Sequence, residues 1–187
     1  MRDRASRILG IEPDPEARRV AIGKGIRVVA GTAELLPAET AGERFDIVLM
    51  CHVLEHCIDP ELALRNAKSL LSEGGSIFVE TPNNRAAGLD LLGSSWSQLD
   101  VPRHLNFFTE RSLKLLAERA GLVVVAVSYA HFVRQFVGER IGEEQRREQL
   151  LSGRKLRRSR WSWLLLETAF ARAERKYDSV RLQLRPR

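Results

Sequence analysis

Phe45-Asp-Ile-Val-Leu-Met-Cys-His-Val-Leu-Glu-His-Cys-Ile-Asp-Pro60 is the stretch from which the rest of the chain is read. Its apolar run, Ile47 to Met50, predicts a strand buried on both faces, because parallel strands covered by helices show no polar alternation. The run ends in chemistry: Cys51, His52, Glu55 and His56 crowd the carboxyl end of the strand, where open α/β sheets place their ligands. Asp59 followed by Pro60 reads as an N-cap with proline at the first helical position. Strand, polar turn and capped helix together mark the edge of a binding site.

Working outward, the same alternation recurs. Arg7 to Glu12 reads as a short strand ending in an acid, and Pro13 to Ile22 as a capped turn and helix closed by Gly23 and Gly25. Ile26 to Ala30 makes the next strand, before the turn Gly31-Thr-Ala-Glu34. After the central stretch, a helix over Pro60 to Leu71 carries an apolar face of Leu62, Leu64, Ala67, Leu70 and Leu71, and Gly74-Gly75 stops it. Ser76 to Glu80 is a strand broken by Thr81-Pro-Asn-Asn84. Asn84 to Phe108 has no clean period and reads as a long functional or mobile loop. Thr109 caps a helix over Glu110 to Ala120, Leu122 to Val127 is a strand, and charged helical segments occupy 131–176. Ser179 to Leu184 alternates polar and apolar residues, as a half-buried edge strand does. Strands alternating with helices predict an α/β fold: a doubly wound, mostly parallel, Rossmann-like sheet with a helical insertion before its last strand, forming a single domain over 1–187.

Composition sets limits. The 187 residues are 44% hydrophobic, enough for one sizeable core. No stretch approaches the roughly 20 apolar residues of a membrane span, and the first residues lack the apolar centre of a signal peptide. With two cysteines and no paired spacing, a cytoplasmic protein with free thiols is expected. The formal charge of +6 is uneven: residues 1–130 hold 15 Lys and Arg against 17 Asp and Glu, and residues 131–187 hold 15 against 7. A basic tail favours an anionic partner or a solvated helix face, and it carries no recognised nucleic-acid motif.

Several pieces, in order, resemble class I S-adenosylmethionine-dependent methyltransferases. Ile-Glu-Pro-Asp-Pro15 resembles the acidic end of that family's second strand, and Gly-Thr-Ala-Glu-Leu-Leu-Pro37 its adenine-side turn. Phe-Asp-Ile-Val48 with His-Val-Leu-Glu-His56 resembles the fourth strand and its turn. Leu-Leu-Ser-Glu-Gly-Gly75 before Ile-Phe-Val-Glu-Thr-Pro-Asn83 resembles the entry to the fifth, and Arg-His-Leu-Asn-Phe-Phe-Thr109 recurs in one broad subgroup. The family begins with a strand and a Gly-rich loop, and Met1 to Arg7 holds four charges and no glycine. The chain therefore reads as an N-terminally truncated member that lacks the first strand.

The resemblance implies S-adenosylmethionine as cofactor and methyl transfer to a small-molecule or lipid-linked acceptor. A non-catalytic relative that keeps the surface for binding is the alternative. By position, Glu12 and Pro13 would meet the ribose, Thr32, Ala33 and Glu34 the adenine, and Cys51, His52 and Val53 the rest of the cofactor. Glu34 reads equally as an acid at a helix start, Glu12 is read first as the ribose acid with a helix-start acid as its alternative, and Cys51 reads also as a small buried hydrophobe. His52, Glu55, His56 and His104 are the candidate catalytic set: a base for the acceptor's proton, or in a few related enzymes ligands for a divalent ion, or a fastening for the following helix. No metal site is assigned. Residues 154–166 join five cations to Trp161 and Trp163, which fits either a helix lying on an anionic membrane or one packed on the sheet.

Overall fold

The computed structural model describes residues 7–187, so Met1 to Ser6, on which part of the truncation reading rests, lie outside the described residues. Strand β1 (Leu9–Ile11) leads into α1 (Pro15–Gly23), capped by Asp14, whose carboxylate accepts from Ala17 N at 2.7 Å. β2 (Arg27–Val29) pairs with β1 in parallel. β3 (Phe45–Cys51) follows, then α2 (Pro60–Ser69), which Asp59 caps by accepting from Leu62 N at 2.9 Å. β4 (Leu71–Pro82) precedes α3 (Ala87–Leu92) and α4 (Glu110–Arg119), the latter opened by a reciprocal Thr109–Ser112 cap. β5 (Leu122–Ala130), α5 (Gly138–Ser152), α6 (Ser159–Ala169), α7 (Ala173–Lys176) and β6 (Ser179–Pro186) complete the chain.

The main sheet has the order β3-β4-β6-β5. β3 and β4 are parallel, and β6 runs against both its neighbours. β6 is therefore an interior strand and not the expected edge strand. The alternation of Val180, Leu182 and Leu184 with Arg181, Gln183 and Arg185 reports burial of one face, which interior and edge strands share. Register aligns Met50, Val79, Leu182 and Val127 in one row and Val48, Ile77, Leu184 and Val124 in another. These rows meet Ala63, Leu64 and Ala67 of α2 and Leu113 and Ala117 of α4 in the main core.

The opposite face corrects a second expectation. Ile47 is 50% and Leu49 48% exposed, so β3 is buried on one face only. Leu49, Phe78, Gln183 and Ala126 lie in one row on that face. Among the described residues no strand joins β3 to the β1–β2 pair. The Thr32–Glu34 turn is fastened instead to α2, where Asn66 Nδ2 donates to the carbonyls of Ala33 and Glu34, both at 2.9 Å.

Gly74-Gly75 does not stop α2, which ends at Ser69, but sits in the irregular start of β4. Gly74 takes φ +76°, and a Cβ on Gly75 would come within 3.0–3.2 Å of three carbonyl oxygens, two of them from β3. The expected loop over 84–108 is likewise structured. Ala86, Ala87, Leu92 and Trp96 pack with Leu156, Trp161 and Leu164 in a second core beside the sheet. The insertion leaves the sheet at Ala130 and returns at Ser179, and those two residues face each other in the β5–β6 register.

Candidate active site

The carboxyl ends of β3 and β4 carry the chemistry. Cys51 and Glu80 are register partners, and Glu80 in turn faces Arg181 on β6. Beyond Cys51 the chain turns sharply, with His52 at φ 53° and its N–H donating to Glu80 O at 2.8 Å. A short 3₁₀ turn, Leu54–His56, buries Glu55 completely. A buried carboxylate requires partners. His52 Nδ1–H donates to Glu55 Oε1 at 2.9 Å, and Thr81 Oγ1–H donates to Oε2 at 3.0 Å. The bond to Glu55 raises the His52 pKa above the ordinary histidine value, against burial, which lowers it.

His56 and His104 arrive from different segments and meet edge to face, their ring centroids 4.7 Å apart. His56 Nδ1–H donates to Arg103 O and His104 Nδ1–H to Gln98 O, both at 2.9 Å. The same nitrogen is thus tied in all three rings, so the basic position of each neutral ring is Nε2, which in His52 faces Glu80 Oε1 at 3.6 Å. Burial depresses the His104 pKa. The four expected catalytic residues are therefore neighbours: Glu55, His56 and His104 each offer a ligand atom within 4.8 Å of the others. Both Glu55 oxygens are already engaged with protein donors. A pocket of about 210 Å³ opens beside them, lined by the three histidines together with Asp100, Arg103 and Arg134.

Three residues absent from the sequence-based set complete the arrangement. Glu80, nearly buried, accepts from His131 Nε2 at 2.6 Å and from Arg181 Nε at 2.5 Å, and His52 Nε2 lies 3.6 Å away. Burial pushes the Glu80 pKa up, but Arg181 and His131 outweigh it and the net shift is downward. His131 stands at φ 71°, directly after β5. The available signal was Glu80 itself, an acid closing an otherwise apolar strand.

The expected cofactor residues divide into two groups. Glu12 follows β1, with its N–H on Val29 O at 3.1 Å, which sets it beside the end of β2; one carboxylate oxygen accepts from Asp14 N at 2.9 Å. Pro13 is exposed. Thr32 Oγ1 accepts from Leu35 N, and the Glu34 carboxylate accepts from Asp59 N at 2.6 Å, fastening its turn to the start of α2. Cys51 is exposed, not buried as a core thiol, and burial of its sulfur with the neighbouring Glu80 raises its pKa. Val53 packs against the main core. These positions fit the adenosine half of S-adenosylmethionine: an acid at the end of β1 with one oxygen unpartnered among the described residues, and a turn beside it. For the amino-acid half, no Gly-rich loop lies among the described residues.

The two tryptophans of 154–166 divide between the two expectations, and the packed one joins the second core and not the sheet. Trp161 is 4% exposed, and its Nε1–H donates to Glu144 Oε2 at 2.9 Å. Trp163 is 64% exposed. No helix among the described residues is long and apolar enough to cross a membrane.

The chain is similar to several known methyltransferases. A ubiquinone biosynthesis O-methyltransferase from Aeromonas salmonicida is 31% identical over 132 residues, which is 66% of this chain and 55% of the relative. One from Parvibaculum lavamentivorans is 37% identical over 106 residues, covering 54% and 41%. The chain spans about half the length of the curated relatives it matches. Among solved structures, a SAM-dependent methyltransferase from Thermotoga maritima superposes with TM-score 0.60 at 20% identity, covering 96% of this chain and 73% of that one. Magnesium protoporphyrin IX methyltransferase from Synechocystis, with bound S-adenosylhomocysteine, does so with TM-score 0.59 at 11% identity, covering 99% and 66%. A methyltransferase domain family matches residues 1–127, well over half of the sequence. The chain belongs to that methyltransferase domain family.

Proposed function

We propose that the protein methylates a hydroxyl group of a small-molecule acceptor seated in the pocket beside His52. The observation that carries this is the buried Glu55 holding His52 Nδ1, which leaves Nε2 to take the hydroxyl proton. When bound, S-adenosylmethionine supplies an electrophilic methyl group. The chain's part is to hold the acceptor oxygen in line and to accept its proton on His52. Glu55 stabilises the imidazolium that results, and Thr81 fixes the Glu55 carboxylate. The relatives named as O-methyltransferases support oxygen as the acceptor atom. The test is transfer of labelled methyl from S-adenosylmethionine to a panel of phenols and catechols. His52→Asn should lower kcat by about 10²–10⁴-fold, the usual worth of a positioned base. Acceptor binding without transfer by the parent protein would favour the non-catalytic alternative.

We further propose a lipid-linked acceptor met at an anionic membrane. Trp163, Leu166 and Phe170 are exposed at helical spacing beside the cations of 154–160. A groove of about 410 Å³ between α5 and α6, with Phe136, Ile141, Trp161 and Leu165 in its walls, could seat an apolar tail. Co-sedimentation with anionic vesicles that falls with salt and with Trp163→Ala supports this. Equal pelleting with neutral and anionic vesicles, or pelleting with neither, removes it.

A further inference from the structure

We propose that the pocket beside His52 recognises an anionic group, a carboxylate or phosphate, on the acceptor, and that Arg134 is the residue that grips it. The charges around the pocket are unbalanced. Its one carboxylate, Asp100, is shared between two guanidinium groups: Arg103 Nη1 lies 3.2 Å from Oδ2 and Arg147 Nη2 3.1 Å from Oδ1. Arg134 lines the same pocket and, among the described residues, has no ion-pair or hydrogen-bond partner. It lies near enough to His52 to oppose that ring's protonation, which places a fixed positive charge beside the proposed base. His56 and His104 add ring nitrogens whose Nδ1 positions are tied back to carbonyls.

A guanidinium is a planar fork suited to bidentate capture of a carboxylate or phosphate. Among the described residues, Glu55, Glu80 and Asp178 are the neighbouring acids: Glu55 and Glu80 are bound to protein donors, and Asp178, fully buried behind Gln98, takes Gln98 Nε2 and Arg140 Nη2 on one oxygen and feels the Arg134 charge, which favours its ionised form. An incoming anion therefore meets one guanidinium with no ion-pair partner among the described residues, a second already shared with Asp100, and no carboxylate that is both exposed and unpaired, Asp178 being fully buried. Arg134 belongs to the 3₁₀ turn Val133–Phe136 that opens the insertion, so the insertion would supply the group that selects the acceptor.

This assignment rests on the methyl-transfer reading only in calling the ligand an acceptor, and its first test needs no turnover. Histidine ring resonances would be followed by NMR during titration with sodium acetate and with inorganic phosphate, chloride holding ionic strength constant. Saturable shifts at His52, His56 or His104 are expected with one or both probes, and the stronger probe identifies the anion. Arg134→Gln should weaken the response at least fivefold, and Arg154→Gln, remote from the pocket, should not. Absence of saturable shifts, or an equal response in Arg134→Gln, overturns the site. Arg134 has no partner to lose, so the variant tests recognition and not folding. In turnover, an acidic acceptor and its methyl ester are compared: Arg134→Gln should raise KM for the acid at least tenfold more than for the ester. Equal effects on both overturn the proposal and leave methyl transfer standing, whereas anion binding without turnover of any acceptor upholds the site and counts against the methyl-transfer reading.

Discussion

Replacing Glu55 with glutamine should change both the titration of His52 and the rate of methyl transfer. Glutamine keeps the volume of the buried side chain but offers one acceptor oxygen where the carboxylate offers two, so either Thr81 or His52 loses its acceptor. The His52 contact is charge-assisted when the ring is protonated, worth about 1.5–3 kcal/mol. At about 1.4 kcal/mol per tenfold, its loss as the imidazolium forms lowers the rate by about 10–100-fold. The sign of the titration follows from the same bond. Glu55 raises the His52 pKa, so the stabilisation it gives the fold is complete below the unfolded-state value of 6.5 and is lost as pH rises through the higher folded-state value. In Glu55→Gln the pKa falls, because burial and Arg134 now act with less opposition. The acidic limb of the kcat/KM profile therefore moves to lower pH while the plateau drops. NMR titration of the His52 ring in both proteins reads the shift without turnover. A midpoint that stays in place or rises in Glu55→Gln refutes the pairing.

Glu144 accepts from Trp161 Nε1, Ser97 Oγ and Ser97 N, so Glu144→Ala leaves buried donors unpaired and should cost about 3 kcal/mol in urea unfolding; an unchanged midpoint would count against it. Burial raises the Asp178 pKa to about 6, so its effect on stability is favourable below the unfolded-state value of 3.8 and is lost as pH rises through about 6. Asp178→Asn should flatten that decline in melting temperature between about pH 4 and 6; parallel pH curves for the two proteins would contradict it. A Cβ at Gly88 would lie 2.6 Å from Trp96 Nε1, so Gly88→Ala should destabilise the second core by about 1–3 kcal/mol, measured by thermal melting.

Local signals carried the fold class. Asp14 with Pro15, Asp59 with Pro60 and Thr109 each cap a helix through their own side chains, and these bonds lie within three residues. What local signals miss is decided by pairing over distance. The alternation in β6 is identical for edge and interior strands, and only its partners on β4 and β5 distinguish them. Trp161 follows a basic cluster as an interfacial residue would, but Glu144, seventeen positions earlier, supplies its buried acceptor. The site divides in the same way. His52, Glu55 and His56 fall within one short turn and were legible. Glu80, His131 and Arg181 come from the ends of three strands, and only the sheet register brings them together.

The facing of Ala130 and Ser179 across β5 and β6 gives the insertion a closed doorway. Whatever the excursion contains, the sheet meets it as the loop of a hairpin. Loop-closure cost grows only with the logarithm of length, so residues can be added or exchanged there for a few tenths of a kcal/mol while the strand register stays put. The insertion nonetheless stays tied to the segment 86–104, through the second core and the contacts Ser97–Glu144 and Asp100–Arg147, so a change in it reaches the pocket wall without passing through β3. The hairpin closure lets the insertion vary at the pocket's far wall while the register that sets Glu80 against Arg181 is unchanged.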